Sequence, residues 1–136
     1  MEALEFAVYV AVKCVAYVGW CFVGLRLLDP DRPAAFVRAT SLGMGRLAFG
    51  VVVGLLIFVA ALSMNNATRN APLTYFSIYV PVRVVEWTIW HVFVSHKFAG
   101  ARSIVWVLGG VVVSCLADIP LGIMEGGVVP VGRPFC

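Results

Sequence analysis

Four predominantly apolar stretches, approximately 4–27, 41–64, 73–94 and 103–123, are each as long as the roughly 20 helical residues that cross a hydrocarbon core. The short connections between them hold most of the proline, asparagine, aspartate and basic residues, which favours one compact bundle over separate domains. Runs such as FGVVVGLLIFVAAL do not alternate, whereas the strands of a transmembrane barrel are about 10 residues of alternating polarity. The expected fold is therefore all-α: an integral membrane bundle of four transmembrane helices in a single domain over residues 1–136.

What the chain lacks favours lipid over water as the solvent for these stretches. Of its 136 residues, 62% are hydrophobic and only 12% charged, too few to supply a polar skin. A soluble domain of this length would bury about 70% of its unfolded surface and expose the rest. The first stretch carries Glu2 and Glu5 and no base ahead of its apolar run, so it reads as a retained helix rather than a signal peptide.

Basic residues set the expected orientation. Arg26, Arg32, Arg38, Lys97 and Arg102 flank one side of the predicted spans, and Arg69 and Arg133 the other. The richer side is expected to face the cytoplasm of a plasma or inner membrane, with both termini outside. Between the first two spans, DPDRPAAFVRAT reads as a short interfacial segment, 29–39, with Asp31 capping a turn begun by Pro33 and its arginines meeting lipid phosphates. Residues 124–136 are expected to form an outward tail ending in Cys136.

Against this background the ionisable residues inside the spans stand out, because each costs on the order of 3 kcal/mol at mid-bilayer unless it finds a partner or water. Counting helical rise from the predicted boundaries puts Lys13, Arg83 and Glu86 in one central layer. In that layer Glu86 is expected to pair with Arg83 at i, i+3 or with Lys13 across the bundle, leaving one positive charge over. Arg46 and His91 fall in a layer nearer the cytoplasm, and Asp118 nearer the outside, about two turns from Glu86.

Helical spacing gathers these groups onto faces. Tyr9, Lys13, Tyr17, Trp20 and Gly24 share one face of the first helix. Tyr75, Tyr79, Arg83, Glu86 and Trp90 share one of the third, with Trp87 beside them. Trp106, Gly110, Ser114 and Asp118 share one of the fourth, and Arg46, Gly50 and Gly54 one of the second, where the Gly-x-x-x-Gly pair is expected to admit another backbone. Pro81 removes a backbone hydrogen bond one turn before the charged pair, so a kink is expected there.

Pointed inward, the four faces make a polar network suited to an anionic ligand, either a lipid headgroup or a small anion, held for binding or transport. The candidate ligand-binding residues are Lys13, Arg46, Tyr75, Tyr79, Arg83, Glu86, Trp90, His91 and Asp118. Arg83 and Lys13 would attract the anion, Glu86 would hold Arg83, the tyrosines would donate hydrogen bonds and Arg46 would engage phosphate near the inner leaflet. The expected partners are membrane lipid and a second copy or partner subunit, with no nucleic acid, no metal and no cofactor.

The other two function classes are an accessory or immunity-type subunit, in which the network only specifies packing, and an enzyme acting on a lipid-linked substrate. LADIPLG at 116–122 resembles the aspartate-bearing last helix of lipoprotein signal peptidases, but their second aspartate, in a Gly-Asn-rich segment ending Asp-Arg, has no counterpart here. Nor does the first helix carry the midspan glutamate of small multidrug exporters, or the chain the Asn-rich and Thr-Phe-Ser segments of fluoride channels.

Overall fold

Away from water a backbone must satisfy its own N–H and C=O groups, and a helix does so within one segment. The computed structural model describes residues 3–30, 35–97 and 100–124, and among them there are four helices and no strand. Helix α1 spans Ala3–Leu28 and α2 spans Phe36–Thr68. Helix α3 covers residues 71–94, as α-helix at Ala71–Thr74, π-helix at Tyr75–Tyr79 and α-helix again at Val80–Val94. Helix α4 spans Ala101–Met124. Three stretches, Leu4–Leu28, Phe36–Ala67 and Ala101–Pro120, are long and apolar enough to cross a membrane. Helix α3 is diluted by its own charges and tyrosines, yet turns them inward.

The bundle is inside-out relative to a soluble protein. Lys13, Arg46, Arg83, Glu86, His91 and Asp118 are all buried, whereas Val52, Leu55, Leu56 and Val59 of α2 and Val105, Leu108, Val112 and Leu116 of α4 are exposed. The exposed positions recur three or four apart, which makes an apolar stripe along each helix. Such a surface is stable against lipid and not against water.

Helix α1 packs chiefly against α2 and α4, and α3 against α4. The seam between α1 and α4 is fixed by two tryptophans that exchange bonds: Trp20 Nε1 donates to the Trp106 carbonyl at 3.0 Å, and Trp106 Nε1 donates to the Trp20 carbonyl at 3.2 Å. Small residues opposite make room for both rings. A Cβ on Gly109 would lie 2.2 Å from the Trp20 ring, and one on Gly24 would lie 2.3 Å from Trp106 Nε1. Trp87 continues the aromatic core, meeting Trp106 edge-on at 5.2 Å between centroids and Tyr17 at 5.8 Å.

Several expectations shift in detail. Residues 36–39, expected in the interfacial segment, form the start of α2, while residues 31–34, with Asp31 and Pro33, lie outside the described residues, as do 125–136 and Cys136. Close backbone approach on α2 occurs at Gly43, where a Cβ would lie 2.6 Å from the Val18 nitrogen. Gly50, the first glycine of the predicted pair, instead faces the Arg46 side chain. In place of a simple kink before Pro81 there is a π-helical turn, in which the Val80 N–H reaches back to the Tyr75 carbonyl. The wider turn is a local answer to a proline that cannot donate.

Gly109→Ala is expected to displace Trp20 and destabilise the fold by about 1–3 kcal/mol, the usual range for overpacking. Gly19→Ala, where nothing lies within 4 Å of the added methyl, serves as its neutral control. Thermal unfolding of both variants in mild detergent reads the difference.

Candidate functional site

One carboxylate collects four donors from two neighbouring helices. Asp118 of α4 pairs with the Arg83 guanidinium through Oδ2 and with Lys13 Nζ through Oδ1 at 2.9 Å. Tyr75 OH donates to Oδ2 at 2.7 Å and Tyr9 OH to Oδ1 at 3.3 Å. An ionised carboxylate offers about four acceptor positions, so these donors saturate it. The cations are further held over aromatic faces, Lys13 Nζ 4.6 Å from the Tyr9 ring centre and Arg83 Cζ 5.5 Å from that of Tyr75. Tyr79 stacks on Tyr75 with 5.6 Å between centroids.

Helix spacing explains the convergence. Tyr9 and Lys13 are four residues apart on α1 and so point the same way. The π-turn adds a residue to the turn that carries Tyr75 and Tyr79, both of which end up buried on the side of Arg83. Asp118 meets them because Gly110 and Ser114 precede it on the same face of α4, where the ring of Trp87 fills the space a Cβ on Gly110 would need and its Nε1 donates to Ser114 Oγ at 2.9 Å.

A second ion pair ties α2 to α3. Arg46 Nη2 lies 2.6 Å from Glu86 Oε2. The guanidinium sits between two aromatic faces, with Cζ 5.0 Å from the Trp87 ring centre and 5.3 Å from that of Tyr17. A Cβ on Gly50 would lie 2.9 Å from Nη1 and 3.9 Å from Glu86 Oε1, so only glycine leaves that approach clear. Although Arg46 is only 1% exposed, its Nε and Nη1 have no hydrogen-bond partner.

Between the two ion groups lies a small cavity of about 10 Å³, lined by Lys13, Arg46, Arg83 and Glu86 together with Tyr17, Leu47, Gly50 and Val51. That is about the space one water molecule needs. Three cations and one carboxylate therefore border it. Among the described residues, the buried cations Lys13, Arg46 and Arg83 outnumber the buried carboxylates Glu86 and Asp118 by one.

The pairing differs from that expected. Glu86 joins Arg46 rather than Arg83 or Lys13, and Asp118 lies level with Lys13 and Arg83 rather than nearer the outside. Depth counted from sequence boundaries assumed that the helices end at common levels. In fact α2 begins at Phe36, which carries Arg46 further in, and α4 continues to Met124, which carries Asp118 away from the end. Arg83 and Glu86 are neighbours on one helix, yet they turn to different helices.

The remaining candidates lie outside this cluster. His91 is buried with Nε2 2.8 Å from Ser103 Oγ. Trp90 stacks on Phe49 at 5.9 Å between centroids. Tyr9, Tyr17 and Ser114 belong to the network without having been named among its ligands; their signal was the same four-residue spacing, from Lys13 for the tyrosines and from Asp118 for the serine. No group of three or more metal-ligating side chains occurs among the described residues. No family model, characterised protein or solved structure matches the chain.

Asp118→Asn removes the charge that faces both Lys13 and Arg83, and is expected to destabilise the protein by about 3–5 kcal/mol, as breaking a buried ion pair does. Thermal unfolding in detergent checks this. The swap Arg83→Glu with Glu86→Arg should also destabilise the protein, because it sets a carboxylate against Asp118 and a guanidinium against Arg46.

Proposed function

We propose that this chain is a membrane protein whose central cavity binds a single anion about the size of a water molecule, with fluoride the best-sized simple ion. The observation that carries the reading is Arg46, which keeps Nε and Nη1 unpartnered at full burial on the wall of a cavity shared with Lys13 and Arg83. A buried donor left without an acceptor costs roughly 1–3 kcal/mol, and more when charged. An anion in the cavity would accept from it and offset the excess of buried positive charge.

Each residue then has a role. Lys13, Arg46 and Arg83 supply attraction from α1, α2 and α3. Glu86 and Asp118 hold Arg46 and Arg83 in fixed positions, so little reorganisation is needed on binding. Tyr17 and Trp87 keep the Arg46 guanidinium between their rings. A cavity of about 10 Å³ is too small for a lipid headgroup, which narrows the ligand to a small anion.

Titration of the detergent-solubilised protein with sodium fluoride, at ionic strength held by gluconate, is expected to give a one-site calorimetric isotherm and a change in tryptophan fluorescence, since Trp87 faces Arg46. Chloride, being larger, should bind more weakly. The double variant Arg46→Met with Glu86→Gln removes the pair without leaving a lone buried charge, and should keep the fold while losing the isotherm. Identical isotherms for this folded variant and the parent chain, or none from the parent, would refute the reading.

A further inference from the structure

At the end of the bundle where α1 finishes and α2 begins, the surface is recessed at residues that the central cavity does not share. Two recesses meet there. The first is a groove of about 410 Å³ between α3 and α4, with Val84, Thr88 and Val92 on one wall and Ile104, Val107 and Leu108 on the other. The second is a cleft of about 240 Å³ bordered by Arg38, Lys97 and Asp29. Ser95 and His96 line both.

The groove has the dimensions of one leaflet. From Ser95 to Val84 is about 16 Å at helical rise, close to half of a hydrocarbon core about 30 Å thick. Its walls are apolar at Val84, Val92, Ile104, Val107 and Leu108, with Thr88 and His91 between them and Ser95 and His96 at the cleft end, and its volume falls in the usual range of ligand pockets, roughly 300–1,000 Å³. An extended acyl chain fits such a channel.

The cleft has the complementary charge. At this end of the bundle Arg26, Arg38, Lys97 and Arg102 stand against Asp29 alone among the described residues. Arg38 is held at the cleft by its Nη2 bond to the Val94 carbonyl at 3.4 Å, and its Nη1 lies 3.8 Å from Asp29. The chain leaves α3 in a fixed turn, in which Ser95 Oγ donates to the Lys97 carbonyl at 3.0 Å and accepts from the Lys97 N–H at 3.4 Å. That turn places both His96 and Lys97 on the cleft wall. Basic pockets between helices at a membrane surface attract anionic headgroups.

We propose that one anionic phospholipid docks here, with an acyl chain along the α3–α4 groove and its phosphate in the cleft beside Arg38 and Lys97. The site recognises both halves of the molecule at once. A zwitterionic lipid keeps the chain contact and loses the net attraction, whereas free phosphate keeps the attraction and loses the chain contact.

Native mass spectrometry of the full chain in dodecyl maltoside, titrated with dioleoyl phosphatidylglycerol or dioleoyl phosphatidylcholine, tests this directly. One phosphatidylglycerol is expected to be retained in preference to phosphatidylcholine. Lys97→Gln should weaken phosphatidylglycerol retention by roughly fivefold, the fold-change for one surface basic residue, and leave phosphatidylcholine unaffected. The Ser95–Lys97 turn should survive that change, because it uses only the Lys97 backbone. Leu108→Trp, which fills the groove from its exposed wall, should reduce retention of both lipids. Equal retention of the two lipids by the parent chain, indifference to Lys97→Gln, or displacement of phosphatidylglycerol by millimolar inorganic phosphate would overturn the proposal. None of these outcomes bears on fluoride binding in the central cavity.

Discussion

The saturation of Asp118 is the constraint on which the rest of this bundle depends. A charge in the bilayer interior is tolerated only when its counter-charge and hydrogen bonds are in place, and here one carboxylate of α4 is the meeting point for two side chains of α1 and two of α3. Lipid supplies no hydrophobic force to press helices together, so contacts of this kind carry more of the specification than in water. Sliding α1 or α3 by one residue along its axis, about 1.5 Å, would break bonds to Asp118. The network therefore sets the register of three helices, and Arg46 with Glu86 adds the fourth.

Close packing around these charges depends on an exchange of large for small. The tryptophan rings occupy positions where glycines on the facing helix have no side chain, as Gly24, Gly109 and Gly110 show. The same economy appears at Gly50, whose missing Cβ leaves the Arg46 guanidinium its place beside Glu86. Trp87 and Tyr17 set their aromatic faces against the Arg46 guanidinium and lower the local polarity around it. The Arg46 Nε and Nη1 donors thus stay unpartnered beside the cavity that Arg46 lines.

How much of this was legible in the sequence follows from the kind of information each feature needs. The spans were readable because apolar length is a local property, and the inward faces were readable because a period of three or four residues is also local. Tyr9 with Lys13, and Tyr75 with Arg83, illustrate the second point. Partner choice was not readable. Glu86 has Arg83 three residues away on its own helix, yet it joins Arg46 from a helix whose start is five residues earlier than its apolar run suggests. Relative depth between helices depends on where each helix ends, how it tilts and whether it contains a π-turn. None of these is a property of one segment alone. The cavity was equally hidden, since a volume of about 10 Å³ is a residual of packing four helices.

The two ion groups also explain why a cavity survives at their junction. Glu86 engages one nitrogen of Arg46, and Asp118 is already filled by its four donors, so neither carboxylate can turn to meet the remaining N–H groups of Arg46 without breaking a bond it holds. Repacking the space with an apolar side chain would bury those donors against hydrocarbon, which is costlier than leaving room for an acceptor. A third carboxylate in the cavity would cancel the charge and close the space, but the bordering residues other than the charged four are Tyr17, Leu47, Gly50 and Val51. The arrangement is thus stable as a frame and incomplete as a set of hydrogen bonds. On the proposed reading a small anion would complete it, and because the frame is held by bonds between its own side chains, such an anion could leave without the bundle coming apart.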